Sequence, residues 1–214
     1  FQSPLTSIGG FARALQHEDL SPEKRRRYLQ IIEAESARLS KLSDNLLKLT
    51  SLESKQHPFD SKPYRLDRQL RRIILSSEPQ WQAKRLELDV ELPETTVAAD
   101  EDLLSQVWIN LIHNAMKFTP EQGTIRIRLE ERDERIVVEV ADTGIGVSDE
   151  DLPHLFERFF KADKARSRSA GGSGLGLSIA KKIVDMHGGD ISACSKLGEG
   201  TSFRVTLPKL HAAH

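Results

Sequence analysis

A long run of apolar residues at helical spacing, in residues 21–53, constrains the fold of this chain more than any other feature. Ser21 and Pro22 can begin a helix there, as cap and first position, and the helix would be about 45 Å long. Its stripe advances in steps of three and four residues and consists of Ile32, Glu35, Leu39, Leu42, Leu46, Leu49 and Leu52 or Glu53. A lone helical hairpin cannot bury such a stripe, so the pattern predicts a dimeric four-helix bundle built from two chains.

A shorter amphipathic segment, residues 1–15, supplies the other helix of the hairpin. Its apolar positions are Leu5, Ile8, Ala12 and Leu15, and Pro4 is expected to kink it or to occupy an early turn. We therefore expect residues 1–54 to form a dimerising helical hairpin. Residues 55–62 are polar and contain Pro58, so they are predicted to form a linker that acts as a hinge.

The remainder of the chain, residues 63–208, changes between strict alternation and helical spacing. Residues 86–92 alternate apolar and charged side chains, as a half-buried strand does. Further strands are predicted at 124–130, 135–140, 190–195 and 201–207, helices at 66–75, 149–156 and 175–187 and after Asp100, and a mobile loop at 161–174. The pattern predicts an α/β sandwich, a mixed sheet with helices on one face. The whole chain is thus expected to be an α+β multidomain protein with a short tail, 209–214.

The helix that follows Asp100 has an unusual polar face. Asn110, Asn114 and Lys117 fall on one side of it, opposite Leu104, Trp108, Leu111, Ile112 and Ala115. Asparagine is a poor helix former, so two amides in register indicate oxygens directed at a ligand. A hard cation such as Mg²⁺ takes oxygen ligands, often only one or two from protein and the rest from phosphates and water. An ordinary solvated face is the alternative explanation of this helix taken alone.

Two glycine-containing stretches follow. Asp142 stands at the end of a predicted strand and opens Asp-Thr-Gly-Ile-Gly, where the carboxylate can accept a hydrogen bond from an exocyclic amine such as that of adenine. Residues 172–177, Gly-Ser-Gly-Leu-Gly-Leu, open a helix and can offer backbone N–H groups to phosphates. A dinucleotide-fold motif is excluded because no strand immediately precedes Gly171, and a P-loop is excluded because the Gly-Lys-Ser/Thr ending is missing.

Composition limits the functional classes. The net charge of −1 provides no bulk field for nucleic acid or an acidic membrane, and a single cysteine, Cys194, excludes an intramolecular disulfide and fits a reducing cytoplasm. No apolar run approaches the ~20 residues of a membrane span, so no membrane contact is expected within this chain. The chain begins at Phe1 without methionine, which indicates a fragment of a longer protein.

Four stretches resemble the N, G1, F and G2 boxes of sensor histidine kinases in order and spacing. They are residues 110–118, 142–146, 156–160 and 171–177. Residues 3–8, Ser-Pro-Leu-Thr-Ser-Ile, are similar to the end of the family's H box. The resemblance places the phospho-accepting histidine two residues before Phe1, outside this sequence. It also places Ser3 where the family holds a residue that orients water during dephosphorylation of the partner.

The resemblance implies ATP and Mg²⁺ as cofactors. Asn114 is then the metal ligand, Asn110 and Lys117 serve the phosphates and catalysis, and Asp142 recognises adenine. The other implied nucleotide-binding positions are Phe118, Gly144, Gly146, Gly172, Gly174, Leu175, Gly176 and Thr201. Ser3 is the implied phosphatase residue.

The expected function is that of the cytoplasmic catalytic region of a sensor histidine kinase whose parent is attached to the membrane upstream. It would dimerise through residues 1–54, phosphorylate the upstream histidine and pass the phosphoryl group to an aspartate of a response regulator; a phosphatase activity is possible. Two alternatives remain. A superfamily ATPase would need a glutamate base four residues before the metal asparagine, where this chain has Asn110. A non-catalytic nucleotide-binding scaffold is the other.

Overall fold

The computed structural model describes residues 2–16, 20–54, 58–162 and 173–209. Helix α1 spans Gln2–Ala14 and helix α2 spans Pro22–Glu53, and the two pack as a hairpin in which the rings of Phe11 and Tyr28 lie 5.0 Å apart. The predicted start of α2 is confirmed, because the Ser21 side chain accepts a hydrogen bond from the backbone N–H of Lys24. Pro4 lies within the first turns of α1.

The second part of the chain alternates strands and helices. In chain order these are β1 Lys62–Arg65, α3 Leu66–Ser76, α4 Glu78–Ala83, β2 Glu87–Glu91, β3 Thr96–Ala99, α5 Glu101–Phe118, β4 Thr124–Arg132, β5 Arg135–Asp142, a short 3-10 helix Leu152–His154, α6 Gly176–Met186, β6 Asp190–Lys196 and β7 Gly200–Pro208. Five strands form one sheet in the order β2-β4-β5-β7-β6, in which only the β2–β4 pair is parallel. Strands β1 and β3 pair separately.

The large sheet has one apolar face and one charged face. In β4, Ile125, Ile127 and Leu129 are buried under the helices, whereas Arg126 and Glu130 on the opposite face are exposed. Helices α5 and α6 pack side by side over the apolar face. The predicted mixed sheet with helices on one face is therefore confirmed, and it places the start of α6 beside α5.

Several elements differ from the sequence-based expectation. Strands β1 and β3, each of four residues, and helix α4 were not predicted, and β1 begins at Lys62 within the expected linker. The predicted helix at 149–156 is reduced to one 3-10 turn around Pro153, a residue that cannot donate a backbone hydrogen bond. The expected loop at 161–174 lies mostly outside the described residues.

The end of α2 packs against the second part of the chain. Leu49 and Leu52 are only 2% and 4% exposed and belong to the same apolar core as α6. Glu53 forms an ion pair with Arg158 at the surface beside them. The last leucines of the predicted bundle stripe therefore have partners within one chain. No helix among the described residues is long and apolar enough to cross a membrane.

Candidate nucleotide-binding site

Helix α5 presents the polar face that the sequence predicts. Its cap is Asp100, whose Oδ1 accepts a hydrogen bond from the N–H of Leu103 at 3.0 Å. The five apolar residues of the opposite face are all buried: Leu104, Trp108, Leu111, Ile112 and Ala115. Asn110, Asn114 and Lys117 are half-buried. The helix therefore carries its amides and ammonium group at the boundary between the core and the surface.

The C-terminal end of α5 is fixed by a lysine from elsewhere in the chain. The Nζ of Lys84 donates to the carbonyl oxygens of Met116, Lys117 and Thr119 at 2.8, 2.9 and 2.9 Å. A cation there also complements the negative end of the helix dipole. Sequence reasoning missed this positioning residue, because Lys84 follows α4 and no local pattern connects it with α5.

Asp142 is the last residue of β5 and pairs across the sheet with Thr201, near the start of β7. Its Oδ1 accepts a hydrogen bond from the N–H of Gly144 at 2.8 Å. Burial raises the pKa of Asp142 to about 6, although the backbone N–H groups of Gly144 and Thr201 act in the opposite direction. A partly desolvated carboxylate of this kind is a strong hydrogen-bond acceptor near neutral pH.

The loop after β5 contacts the end of α5. The N–H of Ile145 donates to the carbonyl oxygen of Phe118 at 3.3 Å. A Cβ at Gly144 would lie 2.7 Å from that same oxygen and 2.5 Å from Asp142 Oδ1, so a side chain cannot be accommodated there. This close approach explains why residue 144 is a glycine. The same approach brings Asp142 next to α5.

The glycine-rich loop before α6 contacts both the motif at residues 156–160 and the motif on α5. The carbonyl oxygen of Gly174 accepts a hydrogen bond from the N–H of Phe159 at 2.8 Å. Gly176, the first residue of α6, lies so close to α5 that a Cβ there would be 2.8 Å from Asn110 Oδ1. All four sequence motifs therefore meet at one end of the sheet, around the polar face of α5.

Family comparisons agree with this arrangement. Residues 99–211 match the family described as histidine kinase-, DNA gyrase B- and HSP90-like ATPase, and residues 1–55 match the His Kinase A phospho-acceptor domain. The chain belongs to the sensor histidine kinase family. Within it, the part that matches the phospho-acceptor family precedes the part that matches the ATPase family.

Individual relatives give the same result. Sensor histidine kinase WalK of Bacillus subtilis is 37% identical over 216 residues, which cover 97% of this chain and 34% of WalK. The chain thus spans about a third of that relative. Histidine kinase ThkA in complex with response regulator protein TrrA has a TM-score of 0.80 at 28% identity, over 98% of this chain and 58% of ThkA. Full-length ShkA in complex with AMPPNP has a TM-score of 0.73 at 30% identity, over 99% of this chain and 44% of ShkA.

Three further predicted positions, Phe118, Thr201 and Leu175, belong to the same motifs or pair with them. The Phe118 ring is partly exposed, and the Nζ of Lys117 lies 4.7 Å from its centroid. Thr201 is buried, with its Oγ1 2.8 Å from Ser195 Oγ. Leu175 is fully buried, so only its backbone can face a ligand. Gly172 and the side chain of Ser3 lie outside the described residues.

Several basic side chains lie near the amides of α5. Burial lowers the pKa of Lys117, and the charges of Lys161 and Lys41 lower it further. Burial also lowers the pKa of His113, again with Lys41 as a second cause. Lys161 follows Phe160 in the chain, whereas Lys41 comes from the hairpin and was not predicted from the sequence. Such a cluster suits an anionic ligand, because each neighbouring cation makes the next one costlier to charge.

Proposed function

We propose that this chain binds Mg-ATP against the polar face of α5 and transfers the γ-phosphoryl group to a histidine that precedes Phe1. The observation that supports it is the meeting of the four motifs, with Gly176 against Asn110 and the Gly144 loop against Phe118. An acceptor for adenine then stands beside the C-terminal end of α5, and phosphate-binding groups stand around Asn110 in the middle of the helix, as an extended nucleotide requires.

Each proposed role follows from the chemistry of the side chain. Asp142 accepts the adenine amine, and Gly146 and Phe118 lie beside the base. Asn114 gives an amide oxygen to Mg²⁺, which phosphates and water complete. Asn110, Lys117 and the backbone N–H groups of the loop that ends at Gly176 hold the phosphates. Phosphoryl transfer needs mainly positioning and charge neutralisation, and these groups supply both.

The wider assignment follows the family. Residues 1–54 form the phosphotransfer hairpin of a homodimer, 55–62 the hinge, 63–208 the ATP-binding domain and 209–214 a tail. An aspartate of a response regulator receives the phosphoryl group, and ThkA is known in complex with such a protein. Ser3 orients the water molecule that hydrolyses the aspartyl phosphate of the regulator, which is the phosphatase reaction. The parent is a cytoplasmic enzyme held at the membrane by upstream segments.

Neither alternative accounts as well for the site. A water-activating ATPase needs a base beside the metal ligand, and the amide of Asn110 cannot accept a proton from water at neutral pH. A non-catalytic nucleotide-binding scaffold would also need the close glycine contacts around Asn110 and Phe118, but the relative that matches 97% of this chain is named a sensor histidine kinase.

The decisive experiment uses the parent chain extended upstream of Phe1 and ATP labelled in the γ-phosphate. Acid-labile label on the protein, lost in Asn114→Ala, is the expected result. Free phosphate without protein label would identify an ATPase, and neither product would identify a scaffold. Transfer of the label to a purified response regulator then tests the second step.

A further inference from the structure

The helical hairpin contacts the glycine-rich loop directly. The Nδ2 of Asn45 in α2 donates to Ser173 Oγ at 3.0 Å, and the same oxygen accepts a hydrogen bond from the N–H of Leu175 at 3.3 Å. Ser173 therefore connects α2 to the turn that places Gly176 against Asn110. A residue of the phosphotransfer hairpin thus lies at the phosphate end of the proposed ATP site.

Lys41 lies one helical turn before Asn45, on the same side of α2. Burial lowers the pKa of Lys117 on α5, and the charge of Lys41 lowers it further. The Leu49 and Leu52 contacts hold this side of α2 against the ATP-binding domain. Lys41 therefore faces the polar side of α5 from across the domain boundary.

Two more basic groups lie along the same boundary. Burial lowers the pKa of Lys161, and the charge of Arg38, one turn before Lys41, lowers it further. The charge of Lys161 in turn lowers the pKa of Lys117. Arg38 also forms an ion pair with Glu35 at 3.6 Å. Converging like charges oppose the docked arrangement, whereas a polyphosphate placed among them would convert the repulsion into attraction.

We propose that Lys41 of the hairpin binds the phosphate groups of the nucleotide, so that ATP bridges the two domains in their docked arrangement. The inference rests on the proposed ATP binding and adds a phosphate-binding residue that none of the four motifs contains. A bridge of this kind stabilises docking when ATP is bound, and it must open before the domain can move to the histidine.

The test compares ATP with adenosine, which lacks the phosphates, by titration calorimetry on the whole chain. Lys41→Ala should weaken ATP binding by roughly five-fold, the effect of one partly solvated ammonium on a phosphate. Adenosine affinity should not change, and Lys41→Arg should restore ATP affinity. Lys24→Ala is the matched control, because it removes the same charge from an exposed position of α2 roughly 25 Å along the helix.

The outcomes separate this inference from the proposed function. If the unaltered chain fails to bind ATP, the proposed function is wrong. If it binds ATP and Lys41→Ala binds as tightly as Lys24→Ala, ATP binding stands and the role of Lys41 is refuted. An equal loss for ATP and adenosine would also refute it, since that pattern indicates a general effect on the domain, which thermal unfolding of the variant would reveal.

Discussion

Asn110 and Gly176 are in direct contact, and a Cβ at residue 176 would lie 2.8 Å from the Asn110 amide oxygen. One residue belongs to the middle of α5 and the other begins α6. Their contact fixes the position of the glycine-rich loop relative to the amide face of α5. The geometry of the proposed phosphate site therefore depends on the absence of a single methyl group.

Gly176→Ala should weaken ATP binding by at least about ten-fold while leaving the fold intact. The added Cβ displaces the Asn110 amide, but alanine is well accepted in the first turn of a helix. Calorimetry and thermal unfolding measure the two effects. Gly9→Ala in α1 is the control, since nothing lies within 4 Å of its Cβ position, and it should leave ATP affinity unchanged. Wild-type ATP affinity in Gly176→Ala would contradict the proposed phosphate site.

Asn114→Ala should remove the Mg²⁺ dependence of ATP binding. The amide oxygen is the proposed protein ligand of the metal, and alanine supplies none. ATP affinity is measured with Mg²⁺ and with EDTA, and the two values should converge in the variant. Adenosine affinity serves as the control, because it does not involve the metal. A persistent difference between the Mg²⁺ and EDTA values would mean that Asn114 is not the ligand.

Asp142→Asn should stabilise the nucleotide-free chain at neutral pH. The pKa of Asp142 is raised from 3.8 to about 6, so its contribution to stability is fully present below the unfolded pKa and is lost as pH rises through about 6. The variant should therefore gain about 1–3 kcal/mol in the free energy of unfolding at pH 7, and the gain should vanish near pH 4. Urea unfolding at both pH values measures the difference between the two proteins.

That difference isolates Asp142 from other titrating groups. Burial lowers the pKa of His187 and His113. The free energy of unfolding therefore falls as the pH falls and these histidines become protonated, but this loss is equal in the two proteins. Asp142→Asn should also weaken ATP and adenosine alike, because the adenine amine loses a charged acceptor. Unchanged adenosine binding would remove Asp142 from the base pocket.

Leu49→Ala should loosen the docking of the hairpin far more than Glu53→Ala. Truncation of a buried leucine costs about 2–5 kcal/mol, whereas an exposed ion pair contributes at most about 1 kcal/mol. Leu49 is 2% exposed, and the Glu53 and Arg158 side chains are 37% and 53% exposed. The radius of gyration from small-angle scattering should rise for Leu49→Ala only. Equal behaviour of the two variants would assign docking to the ion pair.

Leu39→Asp should convert the proposed dimer into monomers. Leu39 lies in the bundle stripe and is only half-buried in one chain, so a second chain is needed to cover it. Leu46 is a less suitable target, since it already packs against the core of its own chain. Light scattering gives the mass, and Ser40→Asp introduces the same charge at an exposed position as the control. A dimeric Leu39→Asp variant would exclude this stripe as the dimer interface.

Local signals in the sequence located much of this molecule. Ser21 and Asp100 are caps whose side chains accept the expected backbone hydrogen bonds, so α2 and α5 begin where predicted. Alternation placed β4 and β5 because one face of the sheet is buried and the other is solvated. By contrast, Lys62 in β1 pairs with Ala99 in β3, and nothing within a four-residue strand indicates so distant a partner.

The sequence by itself determined the family and the residues that we propose face a nucleotide, because motif order, caps and periodicity are properties of neighbouring residues. The tertiary structure alone decided what surrounds them. Lys84 reaches the end of α5 from the residue that follows α4, and Asn45 reaches Ser173 from the hairpin. Leu49 was predicted to lie in the bundle stripe, but it packs in the core of its own chain. These contacts join residues far apart in the chain. The sequence of a helix shows whether one of its faces is apolar or charged, but it does not show which surface that face will pack against.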